Sequence, residues 1–481
     1  MIEDNTKHDF MKLLTYMKNA ITLLLLFLAI NLHGQKYKPE WESLDKRAVP
    51  QWFQDAKFGV FIHWGVYSVP AWGPTGDSIG VYDKYAEWYW NKLIMPGKTQ
   101  KYFKEFHMKT YGPNFRYQDF APMFKAELFD PDKWAELFKQ SGAKYIVLTS
   151  KHHEGFTLWP SAQSWNWNSV DVGPHRDLCG DLTVAVKNKG LHMGFYYSLY
   201  EWFNPNYKAN PEAYVDDHMI PQMKDLVTKY TPDILWTDGE WDKPSKDWKS
   251  EEFLAWLYNE SPVRENIVVN DRWGSETRSK HGGFYTTEYG LIGDKEGIDI
   301  TVPHQWEECR GIGNSFGYNR TEGISDYSTP KQLIRLLVST VSAGGNLLLD
   351  IGPAADGTIP VIMQQRLLEI GKWLKTNGEA IYGTRAFIKN KKEIAINPET
   401  NKTVFFTQTN KEVYIICLTW PGAEIKLKGI APDKKVQVIL LGTDKTVSVK
   451  KAGGNLIINV PTLTPDDNQL AYVFKVSGLL K

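Results

Sequence analysis

The sequence predicts an α/β protein, a (β/α)8-like TIM barrel followed by a C-terminal all-β sandwich domain. Three observations carry this. Short β-branched or aromatic runs alternate with capped helical patterns, which implies a parallel sheet covered by helices. The texture then changes after "YGTRAF" (382–387) to closely spaced alternating runs with no strong helix between them. Most of the earlier runs also end in a polar or ionisable residue, where barrel enzymes carry their chemistry.

In order, the expected barrel strands are "KFGVFIHW" (57–64), "KYIVLTSKH" (144–152), "HMGFYYSLY" (192–200) and "DILWTD" (233–238). "NIVVNDR" (266–272), "GFYTTEY" (283–289), "PHQWEEC" (303–309) and "GNLLLDIG" (345–352) complete the eight, the seventh having the weakest pattern. Helices are expected at "DPDKWAELFKQSGA", with an Asp cap and a terminal Gly, and at "DLTVAVKNKG". "TPKQLIRLLVSTVSAGG" has a Thr cap, Pro in the first turn and Gly at its end. The spacing loosens in the second half, so an irregular barrel is expected there. "TVFFTQ", "EVYIICLTW", "KVQVILLG", "NLIINV" and "AYVFKV" form the second domain. The expected division is 1–34 signal peptide, 36–382 catalytic barrel and 383–481 β-sandwich.

The N-terminus reads as an export signal: "MKNAITLLLLFLAINLHGQ" (17–35) puts Lys18 before an apolar run and a small residue before Gln35. Periplasmic or secreted localisation follows, with no membrane span in the mature protein. Lys+Arg and Asp+Glu both number 56, so bulk charge does not favour a nucleic acid or an anionic membrane as partner. Cys179, Cys309 and Cys417 allow one disulfide at most and no CxxC metal site. Aromatic residues are abundant (19 Trp, 24 Tyr, 22 Phe) and crowd near His and acidic residues in "AEWYWN" and "TLWPSAQSWNWN", which fits rings stacked against sugar faces.

At the strand ends stand His63, then His152 and His153, Tyr196 and Tyr197, Asp238, Arg272 and Glu288. Two carboxylates at a barrel mouth suit glycoside hydrolysis, where one attacks and the other gives and takes a proton. No cofactor is required. Adjacent His152 and His153 suggest a metal pair, but neighbours on a strand point to opposite faces and no HExxH accompanies them, so no metal site is assigned. "GNSFG" (313–317) matches GxSxG formally but lacks the strand and helix that a nucleophile elbow needs. Glu240 reads as a solvated loop acid, and Arg272 has Asp271 as an alternative partner.

The motifs "FGVFIHWG", "YAEWYWN", "SKHHEGFTLWPS", "GFYYSLYEWF", "LWTDGEW" and "WEECRGIGNSFGYN", in that order, resemble family 29 glycoside hydrolases, the α-L-fucosidases. The resemblance covers essentially the whole chain after the signal. It implies a fucosylated oligosaccharide or glycoconjugate as substrate and Asp238 as the nucleophile of a retaining reaction. It also implies that His63, Glu87, Trp88, His152, His153, Tyr196 and Arg272 hold the fucose, with Phe316 against the methyl side. The acid/base varies in position within the family; Glu288 is chosen, with Glu307 as rival and Glu240 and Asp271 behind it. Two other readings stand beside this one: a retaining glycosidase for a related sugar such as an α-L-galactoside, and a fucose-binding protein without catalysis.

Overall fold

The computed structural model describes residues 36–202, 204–289, 304–387, 404–430, 435–443, 446–462 and 470–480. The expected export signal lies outside them. Eight parallel strands form the first sheet: β1 (Phe58–Ile62), β2 (Tyr145–Lys151), β3 (His192–Ser198), β4 (Ile234–Asp238), β5 (Val268–Val269), β6 (Tyr285–Glu288), β7 (Trp306–Gly311) and β8 (Asn346–Ile351). Their order is β5-β4-β3-β2-β1-β8-β7-β6. The two edges meet at a single parallel bridge, Asn270 to Phe284, where Phe284 N–H donates to Val269 O at 3.1 Å. A Cβ at Gly283 would lie 1.8 Å from that carbonyl, so only glycine brings the edges together.

"PHQWEEC" gives a full strand, whereas "NIVVNDR" keeps only two residues of ladder before the chain leaves the sheet. Strands buried on both faces read as continuous apolar runs, which is why the parallel sheet was visible in the sequence. The covering helices include α1 (Pro131–Gln140), α2 (Leu178–Asn188), α3 (Ile220–Tyr230), α4 (Ser250–Asn259), α5 (Pro330–Ser342) and α6 (Val361–Asn377). Asp130 caps α1 by accepting from Lys133 N–H, and Thr329 caps α5 from Gln332 N–H. Helix α2 begins earlier than expected because Asp177, not Asp181, is its cap. Between β5 and β6 the described chain makes turns and no helix, the irregularity expected of the second half. Gly345 admits β8 tightly, since a Cβ there would meet the Trp306 ring at 2.6 Å.

The C-terminal domain is an antiparallel eight-stranded sheet running β12-β15-β14-β13-β16-β11-β10-β9. Its strands are β9 (Arg385–Ala386), β10 (Val404–Gln408), β11 (Glu412–Cys417), β12 (Glu424–Leu427), β13 (Gln437–Leu440), β14 (Thr446–Ala452), β15 (Asn455–Asn459) and β16 (Tyr472–Ser477). Strand β14 pairs first with β13 and then with β15, so the sheet folds over one core containing Ile415, Val438, Leu456, Ile458 and Phe474. It is tied to α6 by Trp373 Nε1 donating to Ala471 O at 3.1 Å. All three cysteines are buried and none is in a disulfide, which corrects the allowance for one: they stand on α2, β7 and β11. No helix among the described residues is long and apolar enough to cross a membrane.

Behind the end of β2 lies a buried ion pair. Lys151 Nζ donates to Glu201 Oε2 at 2.7 Å, and His218 Nε2 approaches the same oxygen at 3.1 Å. Burial alone would raise the Glu201 carboxyl, but Lys151 and His218 hold it down at about 2. Removing one partner of such a pair strands the other charge. Glu201→Leu is therefore expected to cost about 3–5 kcal/mol, read as a lowered apparent Tm and denaturant midpoint.

Candidate active site

The C-terminal ends of the barrel strands surround a cavity of about 400 Å³. The ten residues expected to act on or hold the sugar all line it: His63, Glu87, Trp88, His152, His153, Tyr196, Asp238, Arg272, Glu288 and Phe316. His63 follows β1, Tyr196 lies within β3, Asp238 closes β4, Arg272 follows β5 and Glu288 closes β6. Tyr197 turns to the other face and bonds Gln222, as strand alternation requires.

His152 and His153 correct the alternation argument made for them. The ladder shifts register between Thr149 and Lys151, and the strand ends before either histidine. Both rings then face the cavity, with centroids 4.2 Å apart. Among the described residues no cluster of three His, Cys, Asp or Glu has metal-holding geometry. Gly239, at φ +75°, turns the chain away immediately after Asp238, and a Cβ there would lie 2.5 Å from Tyr200 Cβ.

Glu87 and Trp88 come from the long excursion between β1 and β2. The loop after β7 fixes Glu87: Ser315 Oγ donates to its Oε2 at 3.1 Å and Gly317 N–H at 2.9 Å. The serine of "GNSFG" is thus spent on holding an acid and has no part in a nucleophile elbow.

The carboxylates differ sharply in environment. Asp238 is buried, which alone would raise its pKa, but Arg272 Nη1 donates to Oδ1 at 2.7 Å and holds it well below the usual carboxylate range. Tyr196 OH donates to Oδ2 at 3.0 Å. Arg272 is stacked over Trp236 and bonds Thr286 through Nε, so its fork is fixed toward Asp238 and not toward Asp271. Its other end, Nη2, lies 3.5 Å from Glu288 Oε2. Glu288 takes a hydrogen bond from Tyr85 OH at 3.0 Å, and burial pushes its carboxyl up. One guanidinium therefore stands between an acid held ionised and an acid held toward its neutral form.

Glu307 lies beneath the cavity, where Tyr145 OH and Trp236 Nε1 both donate to it. Burial lifts it to about 7, but its oxygens are occupied and it does not line the cavity. Asp271 is buried behind Thr286 and Ser279. Glu240 is not a solvated acid: it is buried and accepts from Arg278 Nε at 2.5 Å.

Each pocket histidine is backed by a different group. His63 Nδ1 lies 2.7 Å from Asp350 Oδ1, and His152 Nδ1 lies 3.4 Å from Glu154 Oε2. His153 Nδ1 lies 2.6 Å from Ser198 Oγ. Ser198 gives its one proton to Tyr200 O at 2.6 Å, so His153 must be the donor at Nδ1. Burial and the adjacent His152 keep that ring neutral, which leaves Nε2 an acceptor, 3.9 Å from Asp238 Oδ2.

Sequence reasoning missed Tyr85, Arg278, Trp241, Glu154 and Asp350. Asp350 was visible in principle, since it interrupts the apolar run of β8 one residue from its end. Tyr85 and Arg278 sit in irregular chain, where no periodicity marks direction.

Cleaving an acetal requires one acid that is charged and another that carries a proton, both within reach of a single bond. Two carboxyls held apart in this way at a barrel mouth lined with aromatic rings define a glycoside hydrolase. The family profile described as Alpha-L-fucosidase matches residues 24–379, and that described as Alpha-L-fucosidase C-terminal domain matches 397–477. The chain belongs to the α-L-fucosidase family. It is 43% identical over 484 residues to an alpha-L-fucosidase of Dictyostelium discoideum, covering 96% of this chain and 100% of that one. It is 43% identical to the tissue alpha-L-fucosidase of Homo sapiens, over 96% and 97% of the two chains. Among solved structures it resembles the Thermotoga maritima alpha-fucosidase in complex with fucose, with TM-score 0.76, 39% identity, and 92% and 100% coverage. A complex of the Thermotoga maritima enzyme with a mechanism-based inhibitor gives TM-score 0.76 at 40% identity, with the same coverage.

Proposed function

We propose that the protein is an exported α-L-fucosidase that releases terminal α-L-fucose from glycans with retention of configuration. The observation that carries the mechanism is the shared guanidinium of Arg272, at 2.7 Å from Asp238 and 3.5 Å from Glu288. In the first step an oxygen of Asp238 bonds to the anomeric carbon as the bond to the leaving oxygen breaks. Glu288 gives that oxygen its proton. In the second step Glu288, now a base, takes a proton from water, whose oxygen displaces Asp238 from the same carbon. Neither step calls for a cofactor.

His63, Glu87, Trp88, His152, His153, Tyr196 and Arg272 grip the sugar's hydroxyls and ring in this reading. The neutral His153 suits a hydroxyl that donates to Nε2. Phe316, packed 4.9 Å from the His63 ring, offers an apolar wall to the methyl carbon. Such a wall rejects an added hydroxyl only modestly. The expected preference for 4-nitrophenyl α-L-fucoside over the α-L-galactoside is thus about 10–100-fold in kcat/KM. Equal rates on both sugars, or the reverse preference, would contradict the assignment.

Export is supported by Lys18 and the apolar run from Ala20 to Ile30. The mature chain should begin near Gln35 when recovered from the periplasm or medium, as N-terminal sequencing reads; full-length protein confined to the cytoplasm would contradict it. We read 36–382 as the catalytic unit and 383–481 as a β-domain packed on it.

A further inference from the structure

We propose that Asp350 is a neutral carboxylic acid that donates its proton to His63 Nδ1 and so fixes Nε2–H of that ring as a donor. The geometry carries this. The Asp350 side chain is fully buried on the last barrel strand; its one side-chain hydrogen bond is the 2.7 Å contact between Oδ1 and His63, and the backbone N–H of His63 is the other polar group turned toward it. Its other oxygen, Oδ2, is buried with no hydrogen-bond partner. No lysine or arginine among the described residues forms an ion pair with it. The titratable groups that face it are His63 from β1, Glu87 and Tyr67 from the β1–β2 excursion, and Tyr289 after β6. None of these is a lysine or arginine, and Glu87 is a second acid.

Beside a neutral His63, an ionised carboxylate in that place would have only that ring and one backbone N–H to meet it and no countercharge, a heavy penalty in a low-dielectric interior. A protonated carboxyl removes the penalty and turns the same contact into a donated hydrogen bond. Burial also pushes the Asp350 acid well up and the His63 ring well down, so both groups are neutral together. Two protons then serve the pair, one on Oδ1 and one on Nε2. An ionised Asp350 beside neutral His63 would reverse this, placing the proton on Nδ1 and making Nε2 an acceptor.

The consequence is a fixed polarity in the pocket. His63 presents a donor and His153 presents an acceptor, so the two rings cannot exchange partners around a sugar. That use of the donor rests on the fucosidase reading above; the protonation itself does not. Asp350 is a positioning residue, since it acts only through His63.

The direct test is 15N NMR of histidine-labelled protein, with His63 assigned by difference against His63→Gln. The expected spectrum has Nε2 protonated and Nδ1 bare across neutral pH; a protonated Nδ1 overturns the proposal. The second test is a pair of variants. In Asp350→Asn the amide donates the same hydrogen bond, so KM and kcat on 4-nitrophenyl α-L-fucoside stay within a few-fold and the tautomer is unchanged. Asp350→Leu removes it and raises KM by about tenfold, the order expected when a buried group loses its partner. If the Asn variant loses as much as the Leu variant while keeping wild-type circular dichroism and Tm, the ionised form is required and the proposal is wrong. If the Leu variant keeps wild-type KM, the positioning role is wrong. Inactivity of the wild-type protein on fucosides would sink the functional reading and leave the tautomer result standing.

Discussion

Asp238→Gly is expected to lose on the order of 10⁴-fold or more in kcat on 4-nitrophenyl α-L-fucoside, because the carbon–oxygen bond of the intermediate has no protein atom to form with. Folding should survive the change. Arg272 would lose one partner but keep Glu288 nearby, Thr286 on Nε and the Trp236 face. Azide fits the vacated volume, and Glu288 need not protonate a nitrophenolate. Added azide should therefore restore part of the rate and yield a fucosyl azide of configuration opposite to the substrate. The acid side of the wild-type pH profile follows from the same group. In the proposed role Asp238 attacks only when ionised, and Arg272 holds its pKa below the ordinary range. Activity should thus persist as pH falls through the usual carboxylate region and be lost only below it.

Glu288→Gln gives the second large effect, and leaving-group dependence is its signature. On a fucosylated oligosaccharide, whose leaving alcohol needs a proton, kcat/KM should fall by about 10²–10⁴-fold. On an activated aryl fucoside the loss should be much smaller for the first step. Burial raises the Glu288 carboxyl, so in the wild type it keeps its proton above the usual carboxyl range. Activity on the oligosaccharide then declines as pH rises through that raised value, and the Gln variant should lack this basic limb. Glu307→Gln is the control: its oxygens already serve Tyr145 and Trp236 beneath the cavity, so it should disturb packing without sorting substrates by leaving group.

The barrel was legible because a parallel sheet buried on both faces writes itself as apolar runs, and because Asp130 and Thr329 mark helix starts. The strand ends pointed to the cavity for a related reason: a polar residue closing an apolar run stands where the strand leaves the core for the barrel mouth. What escaped was direction. The bulge before Lys151 brings two consecutive histidines to one side, and no residue in "TSKHH" announces it. The state of Glu240 escaped too, because its burial depends on Arg278, which lies 38 residues away in irregular chain. Asp350 escaped because nothing near it in sequence marks its partner. His63 stands 287 residues earlier, and only closure of β8 onto β1 brings them together.

A covalent bond between Asp238 and the sugar is the step on which the proposed mechanism turns. It is tested most directly by incubating the protein with a 2-deoxy-2-fluoro-L-fucosyl fluoride, which slows release of the intermediate, and locating the added mass by peptide sequencing. The expected result is one fluorofucosyl group per chain, on Asp238. A label on Glu240 or Glu288, or turnover with no label and an inverted first product, would contradict it.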